Sequence, residues 1–282
     1  MTLPPGAGEA RRVGGGDINE AFRVRLADGR EAFVKTRREA IAGEYAAEAA
    51  GLAWLAEPGL LRTPAVMEVD EAYLALEWIE PGAVSSLGAE ELGRGLAGTH
   101  RAGAEDFGAP PALRGGDTGF GSLRLPNGPA ADWPSFYAEQ RLLPLLAMAR
   151  ERGAISASAG RAVESVCERI GELCGPSEPP ARLHGDLWSG NVMADGEGRA
   201  WLIDPSAYGG HREVDLAMLR LFGGWAGTQS RIFDAYEEAW PLAEGWRDRV
   251  ELYQLLPMLV HALLFGGSYR AGAERIAMSY AR

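Results

Sequence analysis

The chain has 282 residues and a formal net charge of −11, from 28 basic and 39 acidic side chains. At 46 % apolar and 24 % charged, the composition is that of a globular protein and excludes a disordered one. The acidic excess argues against nucleic acid or an anionic membrane surface as a partner.

Met1 to Ala10 has neither a basic start nor an apolar core, so no signal peptide is read there. The most apolar stretch, Leu255 to Phe265, is too short to span a bilayer. Cys167 and Cys174 fall on one expected helix, at a spacing that matches no metal pattern and cannot form an unstrained disulfide. With no export signal, a cytoplasmic, reducing location is the expectation. All but one of the 28 basic residues are arginine, and the exception is Lys35. A lysine kept on such a background is either chance or chemistry.

In chain order, Phe22, Val24 and Leu26 alternate with Arg23 and Arg25, the period of a half-buried strand. Asp28-Gly29 signals a hairpin turn into a partner strand, Ala32 to Lys35. Arg38 to Ala56 reads as a helix with Ile41, Tyr45, Leu52 and Leu55 on one stripe, closed by Pro58-Gly59. Val66 to Val69 and Tyr73 to Ile79 are two more strands, and Pro81-Gly82 marks a boundary between lobes. Beyond it helices are expected over 90–101, 136–151 and 159–173, with 107–134 as a Gly/Pro-rich ordered loop and 176–180 as a linker. Helices return from Val214 to Ala281.

The chemistry concentrates in Leu183 to Pro205. His184-Gly-Asp186-Leu-Trp188-Ser-Gly-Asn191 contains Asp-x4-Asn, and an apolar strand, Trp201 to Ile203, then ends in Asp204. This is the layout of a kinase-type phosphoryl-transfer site: one carboxylate, Asp186, takes the proton of the attacking hydroxyl, while an amide, Asn191, and a second carboxylate, Asp204, hold magnesium on ATP phosphates. Magnesium prefers hard oxygen ligands and keeps several waters, so two side chains plus phosphate suffice. The bland alternative is a polar turn followed by a strand that ends in a capping aspartate.

The N-terminal part supplies matching partners. Val13 to Asn19 is a glycine-rich turn in which Gly15 and Gly16 would let backbone N–H groups approach phosphate, although Asn19 stands where a full G-x-G-x-x-G has its last glycine. Lys35 lies where a kinase places its phosphate-pairing lysine. Glu48 breaks the apolar stripe and would reach back to Lys35, with Glu44 as the other candidate. Glu77, Trp78 and Ile79 end the last strand of this half and would meet adenine through their backbone, the Glu77 side chain being otherwise a surface charge.

Leu183 to Val192 resembles the catalytic loop of aminoglycoside phosphotransferases and choline kinases, and its Trp188 variant resembles that of fructosamine kinases, the ketosamine-3-kinases. Asp204 to Met218, Leu221-Phe-Gly-Gly224, Leu252 to Arg270 and Asp132 to Leu142 resemble the same family, so the resemblance spans nearly the whole chain. It implies an α+β, two-lobed, protein-kinase-like fold. An N-lobe of residues 1–80 would hold a small antiparallel sheet with one main helix, and a C-lobe of 81–282 would be larger and mainly helical. It further implies ATP- and Mg²⁺-dependent phosphorylation of the 3-hydroxyl of a small-molecule or lysine-linked ketosamine. Trp188 would wall the sugar or its amine, with His211, Arg212 and Glu213 as further pocket residues. Asp215 would buttress the catalytic loop.

His184 would hold the loop rather than act as a base. A Ser189–His184–Asp186 relay is too compressed to align, and no G-x-S-x-G elbow is present. Asp204 is followed by Pro-Ser, not Phe-Gly, which argues against a protein kinase. The rival readings are a kinase for an aminoglycoside or choline-like amine, and a non-catalytic ATP-binding pseudokinase.

Overall fold

The computed structural model describes residues 2–14, 19–38, 41–108 and 117–281. The first half builds one five-stranded antiparallel sheet in the order β1-β2-β3-β5-β4. Its strands are β1 (Ala10–Val13), β2 (Glu20–Arg25), β3 (Glu31–Thr36), β4 (Val66–Val69) and β5 (Tyr73–Glu77). The period-2 pattern fixes the two faces. Phe22, Val24, Ala32, Val34, Tyr73 and Ala75 pack together on one side. Leu74 and Leu76, with Phe33, face helix α1 (Glu44–Ala56) on the other. Lys35 points to that second face because it alternates with Val34, and its register partners are Ala21 and Leu74.

Helix α1 starts six residues later than Arg38. Gly43 sits at φ 76 and ends any continuation backward, which leaves Ile41 outside the helix, while Tyr45, Leu52 and Leu55 form its buried stripe as expected. Strand β5 stops at Glu77, two residues short of Ile79, where the Glu77 N–H turns to Ala65 O at 2.8 Å.

The chain then crosses to the second half. Gly82 N donates to Ala194 O at 2.8 Å, and a Cβ at Gly82 would lie 2.0 Å from Asp195 O, so only glycine allows this close approach. Helix α2 (Ser86–Ala102) begins four residues earlier than the apolar pattern alone suggests, because the Ser85 hydroxyl caps it by accepting from Gly88 N at 3.0 Å.

The expected 107–134 loop contains a short hairpin, β6 (Thr118–Phe120) and β7 (Leu123–Leu125), turning at Gly121 (φ 60). Strands of three residues carry too little alternation to be read from sequence. Residues 109–116 of that loop lie outside the described residues.

Helices α3 (Trp133–Tyr137) and α4 (Leu143–Glu151) are joined by a π-helical turn at Ala138–Leu142. That turn buries Arg141 between the rings of Phe136 and Tyr208, 4.4 and 4.2 Å from their centroids, where it donates to Pro126 O and Asn127 Oδ1. The guanidinium thereby ties the loop to the strand that follows residues 183–205.

Helix α5 (Ala157–Glu168) and the short α6 (Ile170–Leu173) are separated at Arg169, so Cys167 and Cys174 do not share one continuous helix; both are free thiols. Short strands β8 (Ala181–Leu183), β9 (Val192–Ala194), β10 (Ala200–Leu202) and β11 (Tyr208–Gly210) carry the Asp-x4-Asn segment, pairing β8 with β11 and β9 with β10. Helices α7 (Glu213–Leu219), α8 (Gln229–Ala239), α9 (Trp246–Phe265) and α10 (Gly267–Tyr280) complete the chain.

Two apolar cores lie under the Leu183–Pro205 segment. One joins Phe136, Leu145, Val163, Leu183 and Leu255, and the other joins Leu96, Leu187, Leu202, Leu216 and Tyr236. Among the described residues no helix is long and apolar enough to cross a membrane.

Candidate active site

Three elements converge on Lys35. Its Nζ lies 2.7 Å from Glu48 Oε2 on α1 and 2.7 Å from Asp204 Oδ1, two residues beyond β10. The choice left open between Glu48 and Glu44 is decided, since Glu44 binds Arg37 at 3.0 Å and accepts from Ile41 N at 3.1 Å, ahead of the helix. Lys35 is 8 % exposed. Burial works against its charge, but the two carboxylates outweigh burial and hold the ammonium well above its ordinary value. Burial likewise disfavours the charge on Asp204, and the Lys35 ammonium overcomes it, keeping that carboxyl below the usual range. Asp204 occupies the left-handed region at φ 53, which Asp tolerates better than most side chains.

Substituting Lys35 by arginine tests whether the lone lysine is chemical. The wider, planar guanidinium does not fit the point contact between two carboxylates. Lys35→Arg is expected to lower kcat/KM at least about tenfold, about 1.4 kcal/mol of lost transition-state stabilisation, in a steady-state assay. Unaltered kinetics would assign the lysine to coding chance.

The Asp-x4-Asn loop runs from β8 to β9. Asp186 Oδ2 accepts from Asn191 Nδ2 at 2.9 Å, and the same amide donates to Asp186 O at 2.8 Å. Asn191 therefore spends its donors inside the loop and keeps Oδ1 for another task. Burial raises the Asp186 carboxyl to about 7; Asp204 and Asp215 push in the same direction and the Asn191 amide opposes them. Ile203 N donates to Asn191 O at 3.0 Å, which sets Asp204 beside the loop.

The oxygen donors left over, Asn191 Oδ1 and Asp204 Oδ2, are hard ligands of the kind magnesium takes. No group of three or more His, Cys, Asp or Glu gathers into a metal cage among the described residues. A two-residue site completed by phosphate and water fits that donor set.

His184 is fully buried, and its two ring nitrogens are both engaged within the loop. Nε2 lies 2.9 Å from Ile203 O, which can only accept, and Nδ1 accepts from Asp186 N at 3.2 Å. Those partners place the proton on Nε2 and leave no nitrogen for catalysis. Asp215 accepts from His184 N at 2.8 Å and Gly185 N at 2.9 Å. Gly185 sits at φ 83, and a Cβ there would meet Ser206 O at 2.2 Å, so this turn requires glycine.

Behind Asp215 stands a residue that motif reading missed. His100 on α2 places Nε2 3.1 Å from Asp215 Oδ2 and Nδ1 2.8 Å from the Tyr236 hydroxyl. Its only sequence signal is a polar residue at an apolar position of a helix far from the loop.

The remaining site residues divide. Trp188 is half-buried, its ring lying over Gly190, where a Cβ would come within 2.2 Å of it. Ile79 is buried; the Trp78 ring lies under the Arg23 guanidinium at 4.5 Å, and the Glu77 side chain is an exposed group that accepts from Ala65 N at 3.2 Å. Gly15 and Gly16 lie outside the described residues.

His211, Arg212 and Glu213 do not line a pocket. They are 1 %, 3 % and 3 % exposed. His211 stacks on Tyr253 at 5.5 Å, Arg212 is forked on Glu178 with its guanidinium 3.9 Å from the Trp240 ring, and Glu213 is forked by Arg249. Each charge is neutralised in the interior, so these side chains hold the start of α7, from which Asp215 reaches the loop. An open cavity of about 310 Å³ lies instead where the crossing segment meets the catalytic loop, lined by Pro81, Ser189, Val192, Met193 and Trp225 among others.

A five-stranded sheet carrying Lys35, a helical half carrying an Asp-x4-Asn loop, and an aspartate bridging the two define a phosphotransferase with the protein-kinase-like fold. Macrolide 2'-phosphotransferase type I shares that fold, with a TM-score of 0.63 at 17 % identity over 95 % of this chain and 90 % of its own. Within that class the chain belongs to the fructosamine kinase family, whose pattern matches residues 5–281. A crystal structure from Thermobifida fusca, named as a candidate fructosamine-3-kinase, is 44 % identical with a TM-score of 0.88, covering 97 % of this chain and 93 % of its own. A Thermus thermophilus protein named as a probable ketoamine kinase is 39 % identical over 262 residues, 93 % of this chain and 90 % of its own.

Proposed function

We propose that the protein transfers the γ-phosphoryl group of ATP to a sugar hydroxyl, O3, of a ketosamine such as a fructosamine or ribulosamine. The observation that carries this reading is the contact of Lys35 with Glu48 and Asp204, next to the paired Asp186 and Asn191, in a chain whose family is named for fructosamine. Residues 1–80 and 81–282 act as the two lobes around that site. Asp186 Oδ1, the oxygen not bonded to Asn191, accepts the proton of the attacking hydroxyl. The new O–P bond forms as the bond from the γ-phosphorus to the bridging oxygen breaks, and ADP leaves.

Lys35, steadied by Glu48, neutralises phosphate charge, and the backbone of residues 77–79 takes the adenine edge. Asn191 and Asp204 hold Mg²⁺, which when bound screens the phosphate charges. His184 and Asp215 fix the loop backbone, so the catalytic carboxylate needs no reorganisation as charge develops. Trp188 offers a ring wall to the substrate.

The discriminating assay is ADP release with purified protein, ATP and Mg²⁺ against a panel of ketosamines, free sugars, aminoglycosides and choline. ADP release that depends on a ketosamine is expected. Turnover on an aminoglycoside or choline alone would replace this reading with the amine-kinase alternative, and ATP binding without turnover on any acceptor would favour a pseudokinase.

A further inference from the structure

Helix α1 carries Glu48 to Lys35, but the bonds that hold its far end come from the other half of the chain. The last turn of a helix leaves carbonyls without helical partners and carries partial negative charge. In α1 this is sharpened. Trp54 O would pair with the residue four places on, which is Pro58 and has no N–H. The helix also has no basic residue of its own in that turn.

Arg182, on β8, supplies the donor and the cation. Its Nη1 donates to Trp54 O at 2.6 Å and to Glu57 Oε2 at 2.6 Å, and its guanidinium lies 4.7 Å from the centre of the Trp54 ring. Its Nε donates at 3.2 Å to the carbonyl of Gly103, the residue that ends α2. One planar fork therefore closes two helix ends. The Arg182 side chain is 12 % exposed, so water competes little for these bonds.

Two further contacts fix the same end. A Cβ on Gly51 would come 3.2 Å from both Pro205 Cγ and Ala207 Cβ, so the α1 backbone packs directly on the segment after Asp204. Beyond the helix, Leu202 N donates to Arg62 O at 2.8 Å, and Arg62 pairs with Glu91 on α2 at 3.0 Å. The opposite face of α1 packs on the sheet, with Tyr45 and Leu52 against Leu74 and Leu76. The helix is thus shared between the two halves instead of riding on the sheet alone.

That sharing matters at Lys35. Its two carboxylate partners belong to different elements, Glu48 to α1 and Asp204 to the segment after β10, each 2.7 Å away. A rotation that carried α1 away with the sheet would part the two carboxylates, and one ammonium could not keep both. Glu48 precedes Trp54 by six residues, about 9 Å along the helix axis. A rigid helix held at Trp54 transmits its position over that distance.

We propose that Arg182 is a positioning residue for the nucleotide: by anchoring the C-terminal end of α1 to β8, it holds Glu48 at a fixed distance from Asp204 and keeps Lys35 set for phosphate before ATP arrives. It acts through α1 and not by touching the nucleotide. This inference rests on the ATP-dependent reading of the preceding section.

The test is the Mg-ATP affinity of the full chain by titration calorimetry, which needs no acceptor, beside steady-state KM values with a ketosamine. Arg182→Leu is expected to weaken Mg-ATP binding about tenfold, a size typical of residues coupled through one packed element, and to leave KM for the ketosamine close to that of wild type. Arg182→Lys keeps a cation at the end of α1 but cannot also span to Gly103, so it is expected to recover part of the loss. The decisive comparison is a cycle with Glu48→Gln. In that background Arg182→Leu is expected to add no further loss, because the helix end acts only through Glu48. If Arg182→Leu fails to fold, Arg182→Lys gives the same cycle at smaller amplitude. Native Mg-ATP affinity in the folded Arg182 variant, or losses that multiply independently in the double variant, would overturn the anchor. Wild type that binds no Mg-ATP would overturn the ATP-dependent reading and the anchor with it, a result distinct from variants that bind as wild type does. Wild type that binds Mg-ATP but turns over no ketosamine would overturn the acceptor assignment alone, and the binding cycle decides the anchor as before.

Discussion

Replacing Asp186 with asparagine is expected to lower kcat by about 10²–10⁴-fold, the usual contribution of a positioned general base, while Mg-ATP binding stays close to that of the native protein. The change removes little besides the proton acceptor. An amide oxygen at position 186 can still accept from Asn191 Nδ2, the contact that now spans 2.9 Å, and the backbone bond from Asn191 Nδ2 to Asp186 O is untouched. Loop geometry is also secured from behind, by Asp215 on the N–H groups of residues 184 and 185 and by the His184 ring on Ile203 O. The lost activity therefore reports the carboxylate. A carboxyl raised to about 7 by burial is also a better proton acceptor than an ordinary aspartate. The measurement is kcat by coupled ADP release beside nucleotide affinity by calorimetry. Near-native turnover in Asp186→Asn would remove the base assignment, since the amide cannot take the proton.

The second large effect is expected at Asp204. Asp204→Asn and Asp204→Ala are both expected to weaken Mg²⁺-dependent ATP binding at least about 100-fold, because even outer-sphere partners of a metal ligand typically contribute 10–100-fold. The pair of variants separates charge from backbone. Asparagine tolerates the left-handed conformation that residue 204 adopts at φ 53, whereas alanine adds local strain. Both variants leave Lys35 with Glu48 as its remaining carboxylate partner among those it now touches. Titration calorimetry with and without Mg²⁺ is the readout. Tight Mg-ATP retention in the asparagine variant would show that the metal is held elsewhere.

How much of this was legible beforehand follows from the range of each interaction. The Asp186–Asn191 pair closes within a five-residue span, so its spacing alone carries the geometry, and the 310-turn at Ser189–Asn191 delivers the amide to the carboxylate. Strand alternation put Lys35 on the cleft face for an equally local reason. The hairpin at 118–125 escaped because three-residue strands show no period, and the late start of α1 escaped because the left-handed Gly43 interrupts a pattern that otherwise looks helical. A polar run beside the Asp-x4-Asn motif reads as pocket lining, whereas the fold buries His211, Arg212 and Glu213. Their partners, Glu178, Tyr253 and Arg249, lie tens of residues away and leave no mark on the local pattern.

The sequence by itself determined the reaction class: an acidic chain with one lysine, a glycine-rich turn, an Asp-x4-Asn loop and a later aspartate, each in kinase order. These are short-range features, and the chemistry of phosphoryl transfer restricts which residue types can fill them. Tertiary structure decided the rest. It selected Glu48 over Glu44, placed His100 behind Asp215, buried the 211–213 run, and tied the end of α1 to β8 through Arg182. Each of those outcomes depends on which helix face packs against which, and so on contacts between residues far apart in the chain that no local period encodes.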